Sequence, residues 1–282
     1  MTMPLGPLDQ QYLQGLLQGA REPMPPGWCH WTLQGLSQPV GFMSPEHIQL
    51  FRQLLPGDAP LIEAGSGWVW MAEQFSPGRR GEILQAVALQ LYRQGDVVGW
   101  RDEAYSCWSM QEAAWPYPQA ELFRLERAAF RFFGLRSHAS HVHGLTTDGR
   151  MWCGRRAFNK SIDPGLLDNL AAGGLPAGEQ PHGCAVREIL EEAGLGRRLS
   201  TVLALPSVVT TERLEPQGWH SETLFLYTTL VSDTETPTNQ DGEVSEFLCL
   251  ALPEVLSRMR AGEFTRDAAC AVAVYLLGLQ SR

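Results

Sequence analysis

The 282-residue chain is short of charge: Asp, Glu, Lys and Arg together make up 19% of it, and they lean acidic, 31 carboxylates against 22 Lys and Arg for a formal net charge of −9. With no basic excess there is no global field to favour nucleic acid, so a phosphate-bearing ligand must be met by local basic residues or by metal. The six cysteines, Cys29, Cys107, Cys153, Cys184, Cys249 and Cys270, form no CxxC pair and no Cys/His spacing, which argues against zinc. Most stand in apolar runs and read as small buried hydrophobes suited to a reducing cytoplasm. The N-terminus, MTMPLGPLDQQYL, has neither the basic start nor the apolar run of a secretory signal. The apolar stretch Ala268 to Leu279 falls short of the ~20 residues a bilayer span needs and reads as a buried terminal helix, so no membrane partner is expected. There is no internal repeat. At 44% hydrophobic residues the chain can bury a substantial core.

What the chain does have is concentrated in one segment, Gly173 to Leu195, GGLPAGEQPHGCAVREILEEAGL. Pro181 stands where a first helical turn loses nothing by lacking an N–H. Gly194 can take the left-handed cap conformation. Between them Ala185, Val186, Ile189 and Leu190 recur at helical spacing and predict a buried stripe. Glu188, Glu191 and Glu192, three and four positions apart, share the opposite face. An acidic helix face is ordinarily a solvated one. This face differs in having Gly173 and Glu179 upstream in fixed register, and three crowded carboxylates are tolerable when hard divalent cations, Mg²⁺ or Mn²⁺, neutralise them. Such a helix suits metal-assisted attack of water on a diphosphate.

The same residues, Gly173, Glu179, Arg187, Glu188, Ile189, Glu191, Glu192, Gly194 and Leu195, fill every fixed position of G-x5-E-x7-R-E-U-x-E-E-x-G-U, and the chain thereby resembles the Nudix hydrolases. The resemblance implies that Glu188, Glu191 and Glu192 bind metal and supply the base, without singling out which one. It implies that Glu179 and Arg187 pair to hold the loop–helix geometry, Glu179 within reach of a metal, and that the Gly173 carbonyl adds a ligand.

Two regions are expected: residues 1–137, a smaller helix-rich α+β accessory domain, and 138–282, a hydrolase domain with the Nudix α/β/α sandwich and mixed sheet. In the first, Asp9 to Leu17, Ser44-Pro45-Glu46 onward, Gly81 to Arg93 and Glu121 to Phe133 read as helices, and Trp115-Pro116-Tyr117-Pro118 as a stiff extended segment. From Ala139 short β-rich runs take over: His141 to Leu145, Met151 to Ala157, Leu166 to Ala172, Val202 to Thr211, Thr223 to Val231 and Phe247 to Leu252, with a turn at Thr147-Asp148-Gly149. Helices follow at Pro253 to Met259 and Arg266 to Leu279. The first region is expected to dock against the second and help close its site.

The resemblance continues through Arg155-Arg156, Asn159-Lys160, Pro164 to Asn169, Asp241 to Phe247 and Gly262-Glu263-Phe264. These are similar to one Nudix branch, that fused to fungal thiamine pyrophosphokinases and its plant relatives, which carries an extra N-terminal domain. The branch implies hydrolysis of a thiamine-diphosphate-like compound, preferentially oxidised forms, to the monophosphate and phosphate. Arg155, Arg156 and Lys160 would hold diphosphate oxygens. Glu243 and Glu246, with Glu222 as a weaker third, would supply a carboxylate from outside the helix. Trp100, Trp108, Trp115 or Trp219 would stack on a heteroaromatic ring. The alternatives are a Nudix hydrolase of another organic diphosphate such as ADP-ribose, and a non-catalytic ligand-sensing Nudix domain. A homodimer is compatible with the sequence.

Overall fold

The structure is a computed structural model, and it describes residues 5–110, 115, 117, 119–160, 162–196 and 202–281. Helix α1 (Pro7–Gln18) is followed by strands β1 (Cys29–Leu33) and β2 (Gly41–Met43), helix α2 (Pro45–Leu54), strands β3 (Leu61–Ala64) and β4 (Gly67–Trp70), and helix α3 (Pro77–Gln94). Local chemistry sets these boundaries. Ser44 and Ser76 cap α2 and α3 by accepting from His47 N–H and Arg79 N–H, each at 3.2 Å, and each helix opens on a proline. Gly95, at φ 91°, ends α3 in the left-handed conformation that glycine favours. The four strands form a sheet in the order β2-β1-β4-β3. Trp31, Trp70, Phe51, Phe123 and Phe133 fill the core between this sheet and the helices.

Strands β5 (Ala104–Cys107) and β6 (Phe123–Glu126) pair antiparallel, and helix α4 (Phe130–Phe133) follows. The helix expected over Glu121 to Phe133 is therefore strand at Phe123–Glu126 and helical only from Arg127, as a 3-10 turn that leads into α4. The apolar spacing there is ambiguous, and pairing with Ala104–Cys107 decides it. Glu126, buried, fixes the exit from β6 by accepting from the backbone N–H groups of Arg101, Glu103 and Ala128, each at 3.1 Å. Of the extended segment expected at Trp115 to Pro118, Pro116 and Pro118 lie outside the described residues.

The second half begins with β7 (Arg136–Leu145), β8 (Met151–Arg156), β9 (Leu167–Asp168) and β10 (Ala171–Gly174), then α5 (Pro181–Ala193). Strands β11 (Leu203–Glu215), β12 (Gly218–Leu230) and β13 (Val244–Leu250) and helices α6 (Leu252–Arg260) and α7 (Arg266–Gly278) complete it. The mixed sheet runs β11-β12-β7-β8-β13, with β10 on β7 and β9 on β8, and β7 lies parallel to β12. The run expected as one strand, Leu166 to Ala172, is split at Asn169, where the chain leaves β8 and joins β7. Val142, Phe225 and Tyr227 pack against Ala185 and Ile189 of α5 on one face of the sheet. Ala139, Leu224 and Leu226 pack against Ala271 of α7 on the other. The result is an α/β/α sandwich.

Helix α1 packs on α7, with Leu13 in the same cluster as Val255, Ala268 and Val272, so the first helix in sequence covers the second core. Direct bonds tie the halves together. Ala177 N–H donates to Ala104 O at 2.8 Å, and Trp115 Nε1–H to Gln180 Oε1 at 2.8 Å.

Candidate active site

Two glycines shape the ground on which α5 sits. At Gly173 a side chain would collide with the Glu188 carboxylate, and at Gly174 with the Tyr105 hydroxyl. The bare edge of β10 thus brings the acidic helix and a tyrosine from the first half against the same two residues. The helix ends at Gly194, φ 67°, as its sequence predicts. Its buried stripe is Cys184, Ala185, Ile189 and Ala193, with Glu188 among them at 8% exposure. Leu190, expected inside, is 52% exposed. The stripe is rotated because Glu188 faces the glycine edge rather than water.

Arg187 is the hub of the acidic face. Its guanidinium donates to Glu179 through Nε at 3.1 Å and Nη2 at 2.9 Å, and through Nη1 to Glu188 at 2.6 Å and Glu191 at 3.0 Å. Glu179 hydrogen bonding is the chief cause that raises the Arg187 pKa. Burial raises Glu188 above the ordinary carboxylate value, with Arg187 opposing. Burial pushes Glu192 well above it, although the Ala172 N–H donates to Glu192 at 2.9 Å. Carboxylates pushed up in this way are short of positive charge.

Glu192 meets two more acids here. Its carboxylate and those of Asp241 and Glu243 all lie within 4.8 Å of one another. Asp241 was not singled out among the sequence candidates, although it stands two residues before Glu243 in the same DGEVSEF run. Glu188, Glu191, Glu192, Gly173, Asp241 and Glu243 all line one cleft of about 570 Å³.

The expected basic cluster is arranged differently. Arg155 pairs with Glu246 at 2.5 Å, and neither lines the cleft. Arg156 lines it but pairs with Asp168 at 3.2 Å and donates to the Ile162 carbonyl. Lys160 lines it and pairs with Glu243. Strand pairing of β8 with β9 and β13 brings these carboxylates to the arginines, so the cluster is already neutralised. None of Trp100, Trp108, Trp115 and Trp219 lines the cleft, and Trp219 is fully buried in the core. Its rings come instead from Tyr105, Phe130, His141 and His220.

The cleft floor carries polar residues that sequence reasoning missed or gave little weight. Glu222 accepts from Ser137 Oγ at 2.7 Å, and burial raises its pKa. Asp267, at the start of α7, receives Arg213 through both terminal nitrogens at 2.9 and 3.1 Å. Burial alone would raise the Asp267 pKa, but the Arg213 charge holds it well below the usual range. His220, at 3.8 Å from Asp267, is kept neutral by burial, its pKa lowered to about 3. His141 shares a 2.8 Å bond with Asn169. No local sequence signal marks Arg213 or Asp267, because they meet across 54 residues.

A mixed sheet between helices, with a glycine-edged strand leading into one acidic helix, defines the class of the second half. Residues 135–269 match the NUDIX domain. Nudix hydrolase 24, chloroplastic, of Arabidopsis thaliana is 33% identical, covering 71% of this chain and 54% of that protein. Nudix hydrolase 20, chloroplastic, of the same plant is 34% identical over 54% of this chain and 41% of that protein. The uncharacterized protein YJR142W of Saccharomyces cerevisiae is 27% identical over 70% of this chain and 61% of that protein. The chain thus spans about half the length of the relatives it matches.

Proposed function

We propose that the chain is a Mg²⁺- or Mn²⁺-dependent hydrolase of an organic diphosphate, with thiamine-type diphosphates, above all oxidised ones, as preferred substrates. The observation that carries the reading is the meeting of Glu192, Asp241 and Glu243 within 4.8 Å beside Glu188 in one cleft. The donor set is all carboxylate oxygen, which is what a hard divalent cation requires. The raised pKa values of Glu188 and Glu192 show burial without enough positive charge. These residues fit such a cation.

Glu192, Asp241 and Glu243 would hold it, with the Gly173 carbonyl as a further ligand. When bound, the cation neutralises charge on the diphosphate and makes a water more acidic. The chain's own residues do the rest. Arg187 aligns Glu188 and Glu191 toward the cleft. Glu188, whose burial strengthens its hold on a proton, accepts one from the attacking water at a carboxylate oxygen. Tyr105 and Phe130 supply ring surface for the organic part. The thiamine preference rests on the branch resemblance in Arg155 to Asn169 and Asp241 to Phe247. A reducing cytoplasm is part of the proposal and is supported by six free cysteines.

The test is incubation with Mg²⁺ and a panel of thiamine diphosphate, its oxo and oxy forms, ADP-ribose and a nucleotide sugar, with products separated by chromatography. Thiamine monophosphate with free phosphate is the expected yield. Full activity in EDTA refutes the metal reading. ADP-ribose turned over with a tenfold higher kcat/KM than every thiamine compound, about 1.4 kcal/mol in transition-state binding, refutes the thiamine preference.

A further inference from the structure

The pairing of the cleft's cations is uneven. Arg127 is held by Glu103 at 2.5 Å, Arg156 by Asp168, Lys160 by Glu243, Arg187 by three glutamates and Arg213 by Asp267. Two arginines that line the same cleft, Arg131 on α4 and Arg101 before β5, make no side-chain hydrogen bond or ion pair among the described residues. Arg101 is exposed, whereas Arg131 is half-buried and held against the cleft with no carboxylate beside it among the described residues. Its charge is felt on the cleft floor, where it helps keep His220 neutral.

The backbone under Arg131 is fixed. Helix α4 packs on β12, and at Gly218, φ 131°, a side chain would collide with the Arg131 carbonyl. The turn between β11 and β12 therefore seats Arg131 against the hydrolase sheet, although it belongs to the chain's first half.

The geometry points to Arg131, assisted by Arg101, as a phosphate-binding subsite that the N-terminal region contributes to the cleft. This deepens the proposed function and rests on it for the identity of the ligand. A phosphate oxyanion suits a planar guanidinium fork that has no protein acceptor. The phosphate is either the end of the diphosphate that is cleaved or a second phosphate on the organic part.

Metal-free binding separates this subsite from catalysis. In EDTA the acidic helix can only repel an anion, so the full-length protein is titrated with inorganic pyrophosphate by calorimetry. Wild type binds, Arg131→Ala binds at least tenfold more weakly, Arg131→Lys falls between, and Glu192→Gln binds no worse than wild type. Arg131→Gln, which keeps most of the side-chain length, replaces the alanine variant if that one fails to fold. No binding by wild type, or equal binding by the Arg131 variants, overturns the proposal. These readings stand even if no diphosphate is hydrolysed, so failure of the enzyme reading is seen separately. With Mg²⁺, a KM raised by Arg131→Ala for both thiamine diphosphate and coenzyme A assigns the subsite to the diphosphate. A rise for coenzyme A alone assigns it to a further phosphate. An unchanged KM for both overturns it.

Discussion

The Ala172 N–H donates to the Glu192 carboxylate at 2.9 Å and so ties the acidic helix to strand β10. The bond holds one oxygen of a deeply placed carboxylate while Asp241 and Glu243 crowd the same side chain. The backbone positions the acid and leaves its charge to be balanced from the cleft. Burial outweighs that single hydrogen bond, which is why the Glu192 pKa rises.

Replacing Glu192 by Gln keeps an acceptor for Ala172 and removes the charge. The fold is expected to survive by circular dichroism, while kcat on the best diphosphate with Mg²⁺ falls by roughly two orders of magnitude or more, the scale of losing one preorganised charge at a reacting centre. A variant with wild-type kcat would remove Glu192 from the machinery.

Arg187 makes the opposite contribution, because it offsets repulsion among Glu179, Glu188 and Glu191. Arg187→Ala leaves these acids without their shared partner and is expected to lower stability by about 1–3 kcal/mol in urea unfolding. Mg²⁺ is expected to recover part of that loss, since a cation on the same face relieves the same repulsion. A loss that Mg²⁺ leaves untouched would mean that the arginine acts through packing alone.

The helix and its acids were legible in the sequence because their geometry is local. Pro181, Gly194 and the spacing of Glu188, Glu191 and Glu192 need only a helix to bring them together. Ser44 at the start of α2 and Gly95 at the end of α3 were legible for the same reason. What was illegible depends on pairing across distance. Glu121 to Phe133 carries helical apolar spacing, yet β5 claims Phe123–Glu126 as a strand and only Arg127 to Phe133 stays helical. Arg155 and Arg156 read as free phosphate ligands until β13 and β9 bring Glu246 and Asp168 to them. Arg131 reads as one more charged residue of a helix, and only the fold reveals that it lacks a partner in the cleft.

Gly174 and Tyr105 test the contact between the two halves. A methyl group at 174 would meet the tyrosine hydroxyl and ring carbon. Gly174→Ala is expected to destabilise by about 1–3 kcal/mol, the range for forcing extra volume into a packed site. Tyr105→Phe removes the hydroxyl, so the double variant should lose less than the sum of the single ones, and thermal unfolding of all four proteins measures the coupling. Additive losses would show that the two positions do not meet.

Three buried histidines make the fold's stability depend on pH on the acid side. His138, His143 and His220 each have a pKa lowered to about 3, chiefly by burial, with the Arg136 charge adding to the effect at His138. The folded pKa lies below the unfolded value of ~6.5, so the unfolded chain binds more protons between the two. Their contribution is complete above ~6.5 and is lost as pH falls toward 3, each with a slope of up to about 1.4 kcal/mol per pH unit. Glu188, Glu192 and Glu222, raised by burial, act in the other direction: the fold holds their protons more tightly, and that contribution is lost as pH rises. The two slopes partly cancel, so a single histidine is best isolated by replacement. His138 shares a 2.8 Å bond with the Tyr117 hydroxyl, and Gln at that position keeps a polar group without the titrating ring. Urea unfolding of His138→Gln at steps from pH 6.5 to 4.5 is expected to give a shallower acid loss than wild type, by up to one proton. Parallel curves for the two proteins would show that His138 is not held neutral by the fold.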